Sequence, residues 1–271
     1  MQSDKTSDKD PKSKTGDFAK AVNIAENYVE TRIQSIEDLK EQLQYAEAFR
    51  TRYQRPFIAV SYAQSVDGSI ASRNRAQIAL SGPKALVLTH QIRTCCDSVL
   101  IGIGTVLADN PQLTVRMVEG KNPQPIILDT HLRTPLNAKL VQRTDLRIWI
   151  INGRNNTDKQ KQALTEAGAR PLPCTTGDDG KIDLFALMDL LAKMKINSIM
   201  VEGGAQVITS FLNSKLVDQF IITITPKLVG GLQAINSNGL KMSHYLDLDQ
   251  IRYQHLGNDI IMWARPTWET Q

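Results

Sequence analysis

The stretch Leu100-Ile-Gly-Ile-Gly-Thr-Val-Leu-Ala-Asp-Asn-Pro-Gln-Leu-Thr-Val-Arg116 indicates how this chain folds and where it binds a ligand. A short apolar strand runs into two glycines, a threonine, a lone aspartate, a proline turn and an arginine. Polar residues and glycines at a strand end are typical of α/β sheets that bind a phosphorylated ligand. In a second such junction, Ile199-Met-Val-Glu-Gly-Gly-Ala-Gln206, a strand ends at Glu202 and a glycine pair opens a helix. The two junctions predict two ligands bound side by side.

Composition excludes several classes of protein. The 271 residues carry a formal net charge of +4, and aromatic residues make up 6% of the chain. This mild excess without a long basic run predicts small anionic ligands and no nucleic-acid partner. No run of about 18 apolar residues is present, so no membrane partner is expected. Three cysteines, two of them adjacent, do not form a disulfide framework, and residues 1–16 are too polar for a secretory signal, so we expect a reducing, cytoplasmic location.

The chain divides into three predicted segments. Residues 1–16 are predicted to be a disordered tail, 17–54 an N-terminal helical extension and 55–271 the main domain. Apolar residues recur at helical spacing from Phe18 to Leu43, and Ser35 followed by Asp38 is a candidate helix cap. This apolar stripe must pack either on the main domain or on a second subunit, and the sequence leaves both possibilities open.

From Arg55 onward the sequence alternates between strand and helix patterns. The predicted helices are 83–93, 157–167 ending at Gly168, 183–195 and 205–214. The predicted strands are 56–61, 97–101, 125–129, 147–151, 198–201, 219–225, 251–256 and 259–264. Alternation followed by consecutive strands predicts an α/β fold with a mainly parallel central sheet, flanking helices and antiparallel C-terminal strands at one edge.

The glycines are candidates for cofactor binding. Gly203 and Gly204 would allow close backbone approach, and the helix that follows offers free N–H groups to a pyrophosphate. An ordinary strand–helix turn with a surface Glu202 is the alternative. The run Gly102-Ile-Gly-Thr-Val-Leu107 begins like a dinucleotide fingerprint, but Leu107 replaces the third glycine, so the Rossmann pattern is not met.

Charged residues near these junctions are candidates for anion binding. Arg93 and Arg116 flank the first strand, and arginine binds phosphate in a bidentate manner, so the pair favours an anion clamp over two separate surface charges. Asp109 either bonds a ligand hydroxyl or caps the following turn. Thr130 and Arg133 follow another strand end and either grip a ribose 2′-phosphate, which favours NADPH over NADH, or belong to an ordinary polar loop.

Metal and covalent chemistry are not indicated. The four histidines are scattered, and neither H-E-x-x-H nor C-x-x-C occurs. His90, one turn before Arg93, is the histidine predicted to lie near the site, and a structural role is its alternative. We therefore expect no metal.

Taken together, these motifs resemble the reductase of riboflavin biosynthesis, whose fold is like that of dihydrofolate reductase. The resemblance rests on Arg55-Pro-Phe-Ile-Ala-Val-Ser-Tyr-Ala-Gln-Ser-Val-Asp-Gly68, Thr89-His-Gln-Ile-Arg93, the two junctions quoted above, and Thr225-Pro-Lys-Leu-Val-Gly-Gly231. It implies NADPH-dependent reduction of a ribosylaminopyrimidine 5′-phosphate, a phosphorylated small-molecule substrate, to the ribitylamino 5′-phosphate. It also implies a homodimer.

The resemblance further implies the role of individual residues. Glu202 and Asp109 would be catalytic. Cofactor contacts would come from Ala63, Thr105, Asp109, Thr130, Gly204, Ala205, Gln206 and Val207. Substrate contacts would come from Gln77, Arg93, Leu113, Arg116 and Glu202, with the arginines at the 5′-phosphate.

The sequence departs from the bifunctional bacterial relatives at three points. Residues 1–54 lack the H-x-E and P-C-x-x-C residues of a zinc deaminase, Ser61 replaces a lysine, and Ala79 replaces a tryptophan. The run from Ser61 to Ser65 looks more like the stand-alone fungal enzyme. The substrate is therefore either the diaminopyrimidinone or the deaminated uracil. A reductase acting on a pterin or small carbonyl compound, or a non-catalytic NADPH-binding protein, are the alternatives.

Overall fold

The computed structural model describes residues 34–74, 76, 78–235, 239–240 and 245–268. Its helices are α1 (Ile36–Leu43), α2 (Ala46–Tyr53), α3 (Pro83–Cys95), α4 (Ile103–Asp109), α5 (Asp158–Glu166), α6 (Leu184–Lys193) and α7 (Ala205–Asn213). Its strands are β1 (Phe57–Ser65), β2 (Ser69–Ala71), β3 (Ser98–Gly102), β4 (Gln124–Leu128), β5 (Trp149–Gly153), β6 (Arg170–Cys174), β7 (Ser198–Val201), β8 (Gln219–Thr225), β9 (Leu232–Gln233), β10 (Leu248–Leu256) and β11 (Asp259–Pro266).

Nine of these strands form one sheet in the order β10-β11-β8-β1-β7-β3-β4-β5-β6. The pairs from β8 to β6 are parallel. Strands β10 and β11 pair antiparallel with each other, and β11 pairs antiparallel with β8. The short strands β2 and β9 form a separate antiparallel pair. The predicted fold class, a mainly parallel α/β sheet with antiparallel C-terminal edge strands, is confirmed.

Apolar side chains cover both faces of the sheet because successive residues of a strand point to opposite faces. On β1, Ile58 and Val60 belong to the core cluster that includes Phe211 of α7. Phe57 lies in the cluster on the other face, together with Ile92 of α3. The sheet is thus buried between two layers of helices, which leaves its strand ends as the place for a ligand.

The two N-terminal helices pack on the main domain. The Ser35 hydroxyl accepts a hydrogen bond from the Asp38 backbone N–H at 3.1 Å, as its predicted cap requires. Leu39 and Phe49 are buried in the cluster that contains Trp263 of β11. For this part of the extension the apolar stripe packs within its own chain. The predicted tail 1–16 and the stripe before residue 34 lie outside the described residues.

Several elements were not predicted. Helix α4 follows β3 without a loop, and its first turn contains a glycine, which hid the helix pattern. Strand β6 contains Pro171 and Pro173, which are tolerated because β6 is an edge strand. Strands β2 and β9 are too short to give a periodic signal. Among the predicted strands, the one expected from residue 147 begins at Trp149.

The order of the strands brings the two junctions together. Strands β3 and β7 are direct neighbours and run parallel, so Gly102 and Glu202 both lie at the carboxyl ends of the strands. Strands β1 and β4 flank this pair and end at the same edge. In the described part of the chain, the helices are too short or too polar to cross a bilayer.

Candidate active site

A cleft of about 680 Å³ lies over the carboxyl ends of the parallel strands, within the range of about 300–1,000 Å³ that is usual for ligand pockets. Its walls come from β1, from the β3–α4 and β7–α7 junctions, from the loop after β4 and from the loop before α6. The predicted site residues that line it are Ala63, Thr105, Asp109, Thr130, Glu202, Gly204, Ala205, Gln206 and Val207. The cleft therefore brings together the predicted cofactor residues and both predicted catalytic carboxylates, Asp109 on α4 and Glu202 directly after β7.

The first turn of α7 forms a cradle with little room for side chains. Gly203 and Gly204 have φ angles of 97° and 87°, which residues with a side chain rarely adopt. A Cβ atom at Gly204 would lie 3.1 Å from Thr105 Oγ1. Helix α7 begins without a side-chain cap, and Ala205 and Gln206 of its first turn line the cleft. This cradle fits the pyrophosphate of a nicotinamide dinucleotide.

Polar side chains of the neighbouring helix face the same space. Thr105 and Asp109, one turn apart on α4, both line the cleft. Burial raises the pKa of Asp109, so its carboxyl holds a proton at higher pH than an exposed aspartate does. Ala63 of β1 lies on the opposite wall beside Thr223 of β8. These residues can bind hydroxyl and amide groups of a ligand.

The loop after β4 carries an exposed cation to the rim of the cleft. Asp129 is fully buried, and its Oδ2 accepts hydrogen bonds of 2.8 Å from both the backbone N–H and the hydroxyl of Thr134. Its Oδ1 lies 3.7 Å from Nε of Arg133, whose side chain is 55% exposed. Thr130 and Arg133 both line the cleft. Arg133 is thus oriented at its base while its guanidinium stays accessible to an anion.

The predicted substrate end of the cleft is built around a buried ion pair between Arg93 and Glu202. Arg93 Nε donates to Glu202 Oε1, and Nη2 donates to Oε2 at 2.6 Å. The third nitrogen, Nη1, donates to the Thr114 carbonyl at 2.9 Å. Glu202 lines the cleft, whereas Arg93 does not. Since the guanidinium is occupied by protein groups, Arg93 reaches the cleft through Glu202, and its direct contact with a phosphate stays a prediction.

Two further predicted substrate residues, Leu113 and Arg116, do not line the cleft. Leu113 is buried, and Arg116 is exposed. The Arg116 backbone N–H donates to Nδ1 of the buried His90 at 3.1 Å. Burial, and then the charges of Arg93 and Arg116, lower the pKa of His90 to about 4. His90 therefore accepts this hydrogen bond as a neutral ring. Gln77 lies outside the described residues.

Some groups that line the cleft were not predicted from the sequence. Tyr62 of β1 faces it, and burial raises the pKa of this phenol to about 12. Thr89 of α3 and the segment 179–182 also contribute. Asp179-Gly180 reads as a turn in the sequence, but only the folded chain shows that this turn reaches the cleft. Within the described residues, no group of His, Cys, Asp and Glu is arranged to hold a metal ion.

An open parallel sheet with an uncapped, glycine-led helix at its strand ends defines a nucleotide-binding α/β protein. Comparison with known proteins identifies its family. The family model described as the RibD C-terminal domain matches residues 56–262, and the chain belongs to this family. The resemblance inferred from the sequence motifs is confirmed, and the family implies a nicotinamide cofactor.

Individual relatives show the same likeness. The riboflavin biosynthesis protein RibD of Actinobacillus pleuropneumoniae is 33% identical over 77% of this chain, which spans 56% of that protein and so less than two thirds of it. The 2,5-diamino-6-ribosylamino-4(3H)-pyrimidinone 5′-phosphate reductase of Methanothermobacter thermautotrophicus is 31% identical over 77% of this chain and 97% of its own length. The solved riboflavin biosynthesis reductase Rib7 of Saccharomyces cerevisiae is 27% identical, with a TM-score of 0.63 over 79% of this chain and 90% of that one.

Proposed function

We propose that this chain reduces a ribosylaminopyrimidine 5′-phosphate to the ribitylamino 5′-phosphate in riboflavin biosynthesis, with NADPH as the cofactor. The observation that carries the proposal is the position of Glu202. Its carboxylate faces the cleft, is held by two hydrogen bonds from Arg93, and lies one residue before the glycine cradle of α7. One strand end therefore serves both a substrate and a dinucleotide.

The reaction asks for positioning more than for covalent chemistry by the protein. The C1′–O4′ bond of the ribosylamine breaks, a hydride adds to C1′ and a proton adds to O4′. NADPH, when bound, supplies the hydride. Glu202 would orient the sugar by accepting hydrogen bonds from its hydroxyl groups, since both carboxylate oxygens are already fixed by Arg93. Asp109 would hold or donate a proton, since burial raises the pKa of its carboxyl.

We propose the diaminopyrimidinone, before deamination, as the substrate. The Methanothermobacter thermautotrophicus relative, 97% of whose length this chain covers, is named as the reductase of the diaminopyrimidinone 5′-phosphate. Ser61, at the position where the bifunctional relatives carry a lysine, lines the cleft and contributes no charge there. Its run with Tyr62 looks like that of the stand-alone fungal enzyme.

The test is NADPH oxidation, followed by absorbance, with the diaminopyrimidinone and the aminouracil ribosylamino 5′-phosphates supplied separately. We expect faster turnover of the diaminopyrimidinone. Faster turnover of the aminouracil would keep the reaction and reverse the substrate. Tight NADPH binding with no turnover of either compound would refute the reductase proposal.

We further propose that Arg133 selects NADPH over NADH by contacting the ribose 2′-phosphate. Its accessible guanidinium at the rim, steadied by Asp129, is the supporting observation. Arg133→Ala should weaken NADPH binding about tenfold and leave NADH binding unchanged, because only NADPH loses a charge-assisted contact. Fluorescence titration with each cofactor measures the two dissociation constants.

Arg147→Ala is the matched control, since Arg147 is exposed and precedes β5 at the opposite end of the strand. Equal weakening of both cofactors would contradict the role.

A homodimer is part of the proposal, with β10 as the contact strand. This strand forms one edge of the sheet and exposes Ile251 and Tyr253. The opposite edge strand carries Pro171 and Pro173, which lack the N–H groups needed for further pairing. Sedimentation equilibrium should therefore give twice the chain mass.

The proposed location is cytoplasmic, where the three free cysteines stay reduced.

A further inference from the structure

The loop 112–116, between α4 and β4, is held by side chains that come from outside it. Two of them belong to α3. Arg93, which grips Glu202, also donates to the Thr114 carbonyl at 2.9 Å. His90 accepts from the Arg116 backbone N–H at 3.1 Å. One side of the loop is therefore tied to the same helix that fixes the cleft carboxylate.

A second group of side chains holds the other side of this loop. Arg143 Nη1 donates to the Gln112 carbonyl at 3.2 Å, and Asn122 Oδ1 accepts from the Val115 backbone N–H at 2.6 Å. Asp145 joins the two, accepting from Arg143 at 2.6 and 2.9 Å and from Asn122 at 2.7 Å. The hydrogen bond from Arg143 also holds the pKa of Asp145 well below its usual range. Asp145 therefore accepts these hydrogen bonds as an ionised carboxylate.

Local backbone geometry makes these contacts necessary. Leu113 has a φ of 52°, in the left-handed region that residues with a side chain seldom adopt, and it is buried. Such a conformation costs about 1–2 kcal/mol and persists only where surrounding contacts impose it. Backbone groups of 112 and 114–116 are all bonded to side chains outside the loop. Side chains outside the loop thus hold its backbone on both sides of the strained Leu113.

We propose that Arg143 is a positioning residue which, with Asn122 and Asp145, holds loop 112–116 so that Arg116 meets the 5′-phosphate of the substrate. This inference rests on the proposed function, because it takes a phosphorylated substrate as the ligand of Arg116. Arg143 itself has only 5% of its side chain exposed, and its guanidinium donates hydrogen bonds to Asp145 and to the loop. It acts on the substrate through the loop and does not touch it.

The test is a double-mutant cycle with Arg116→Ala, Arg143→Ala and both together. KM and kcat are measured with the diaminopyrimidinone ribosylamino 5′-phosphate and with its dephosphorylated form. Arg143→Ala should raise KM for the phosphorylated compound about tenfold, with little change in kcat or in KM for the dephosphorylated one. In the Arg116→Ala background it should add nothing further, because the residue through which it acts is already gone.

Two further variants guard against a merely structural effect. Arg143→Lys keeps the charge and the aliphatic stem but loses the planar fork, so it should fold and show part of the rise in KM. Arg147→Ala removes an exposed arginine four positions on and should leave KM unchanged. Thermal unfolding of every variant shows whether stability follows KM.

The outcomes separate the inference from the proposed function. An Arg116→Ala effect without an effect of either Arg143 variant would overturn the positioning role and leave the phosphate contact intact. Additive effects, or an equal rise in KM for both compounds, would also overturn it. An unchanged KM in Arg116→Ala would overturn both the phosphate contact and the inference built on it.

Discussion

The proposed cofactor end of the cleft, at Thr105 and the first turn of α7, and the proposed substrate end, at Arg93 and Glu202, are built in opposite ways. At the cofactor end, Thr105, Ala205 and Gln206 line the cleft, and α7 begins there without a side-chain cap. At the substrate end, Arg93 and Glu202 form an ion pair with each other through two hydrogen bonds. The cofactor end is a set of open donors and acceptors, whereas the substrate end is a network in which one group fixes the next.

This difference follows from how each end is encoded. A glycine pair before a helix is sufficient to create an anion-binding turn, because the donors belong to the backbone of neighbouring residues. Arg93 and Glu202 are 109 positions apart. Arg93 lies on α3, which leads into β3, and Glu202 follows β7, the parallel neighbour of β3, so the folded sheet brings them together. Two buried charges also require mutual pairing, since an unpaired one is costly. The substrate end is therefore the more sensitive to a single substitution.

The largest effect is expected from Glu202→Gln, which breaks the ion pair while keeping the shape. We expect kcat to fall about 100-fold, because the proposed role of Glu202 in orienting the reacting sugar depends on its charge. The fold should be retained with a lower Tm, since the loss of one partner leaves the Arg93 charge buried and uncompensated, at a cost of roughly 3 kcal/mol. Steady-state kinetics and circular dichroism measure both.

The matched control for this variant is Glu119→Gln. Glu119 is exposed in the loop before β4, so its replacement should leave kcat and Tm unchanged. If Glu202→Gln retained full turnover, the substrate end would be structural only, and the contrast between the two ends would lose its functional meaning.

At the cofactor end, Gly204→Ala should have a smaller and more selective effect. The new Cβ would lie 3.1 Å from Thr105 Oγ1, and the φ of 87° would be strained, so the first turn of α7 must shift. We expect NADPH to bind about tenfold more weakly, equivalent to about 1.4 kcal/mol. Fluorescence titration measures the dissociation constant.

Gly257→Ala separates strain from contact. Gly257 has a φ of 69° in the turn between β10 and β11, remote from the cleft, so its replacement should lower Tm without weakening NADPH binding. Equal NADPH affinity for Gly204→Ala and the wild type would show that the cofactor does not approach this turn.

The same contrast explains what the sequence could predict. The glycines, Glu202 and Asp109 were found because they follow strand ends, which is a local pattern, and the parallel sheet then brings the strand ends together. The pairing of Arg93 with Glu202 was not predicted, since nothing in the spacing of two distant residues indicates it. Strand β6 was missed because its prolines mask an edge strand. Local signals identified the groups, and the fold alone decided their partners.

The smallest effect concerns His90, the neutral group of the substrate end. The pKa of His90 is lowered from 6.5 to about 4, first by burial and then by Arg93 and Arg116, with Glu202 opposing. Between these two pH values the unfolded chain binds a proton that the folded chain does not, so the free energy of unfolding falls as pH is lowered from 6.5 to about 4.

Replacement by asparagine should reduce this pH dependence. His90→Asn keeps an acceptor near Nδ1 for the Arg116 N–H but cannot titrate. Tm measured across that window should therefore decline less steeply than in the wild type, while His255→Asn, at an exposed position on β10, should leave the slope unchanged. An equal slope in His90→Asn and the wild type would mean that His90 takes up its proton without loss of stability. The substrate end would then tolerate an added charge, and the view of it as a closed network of paired groups would fail.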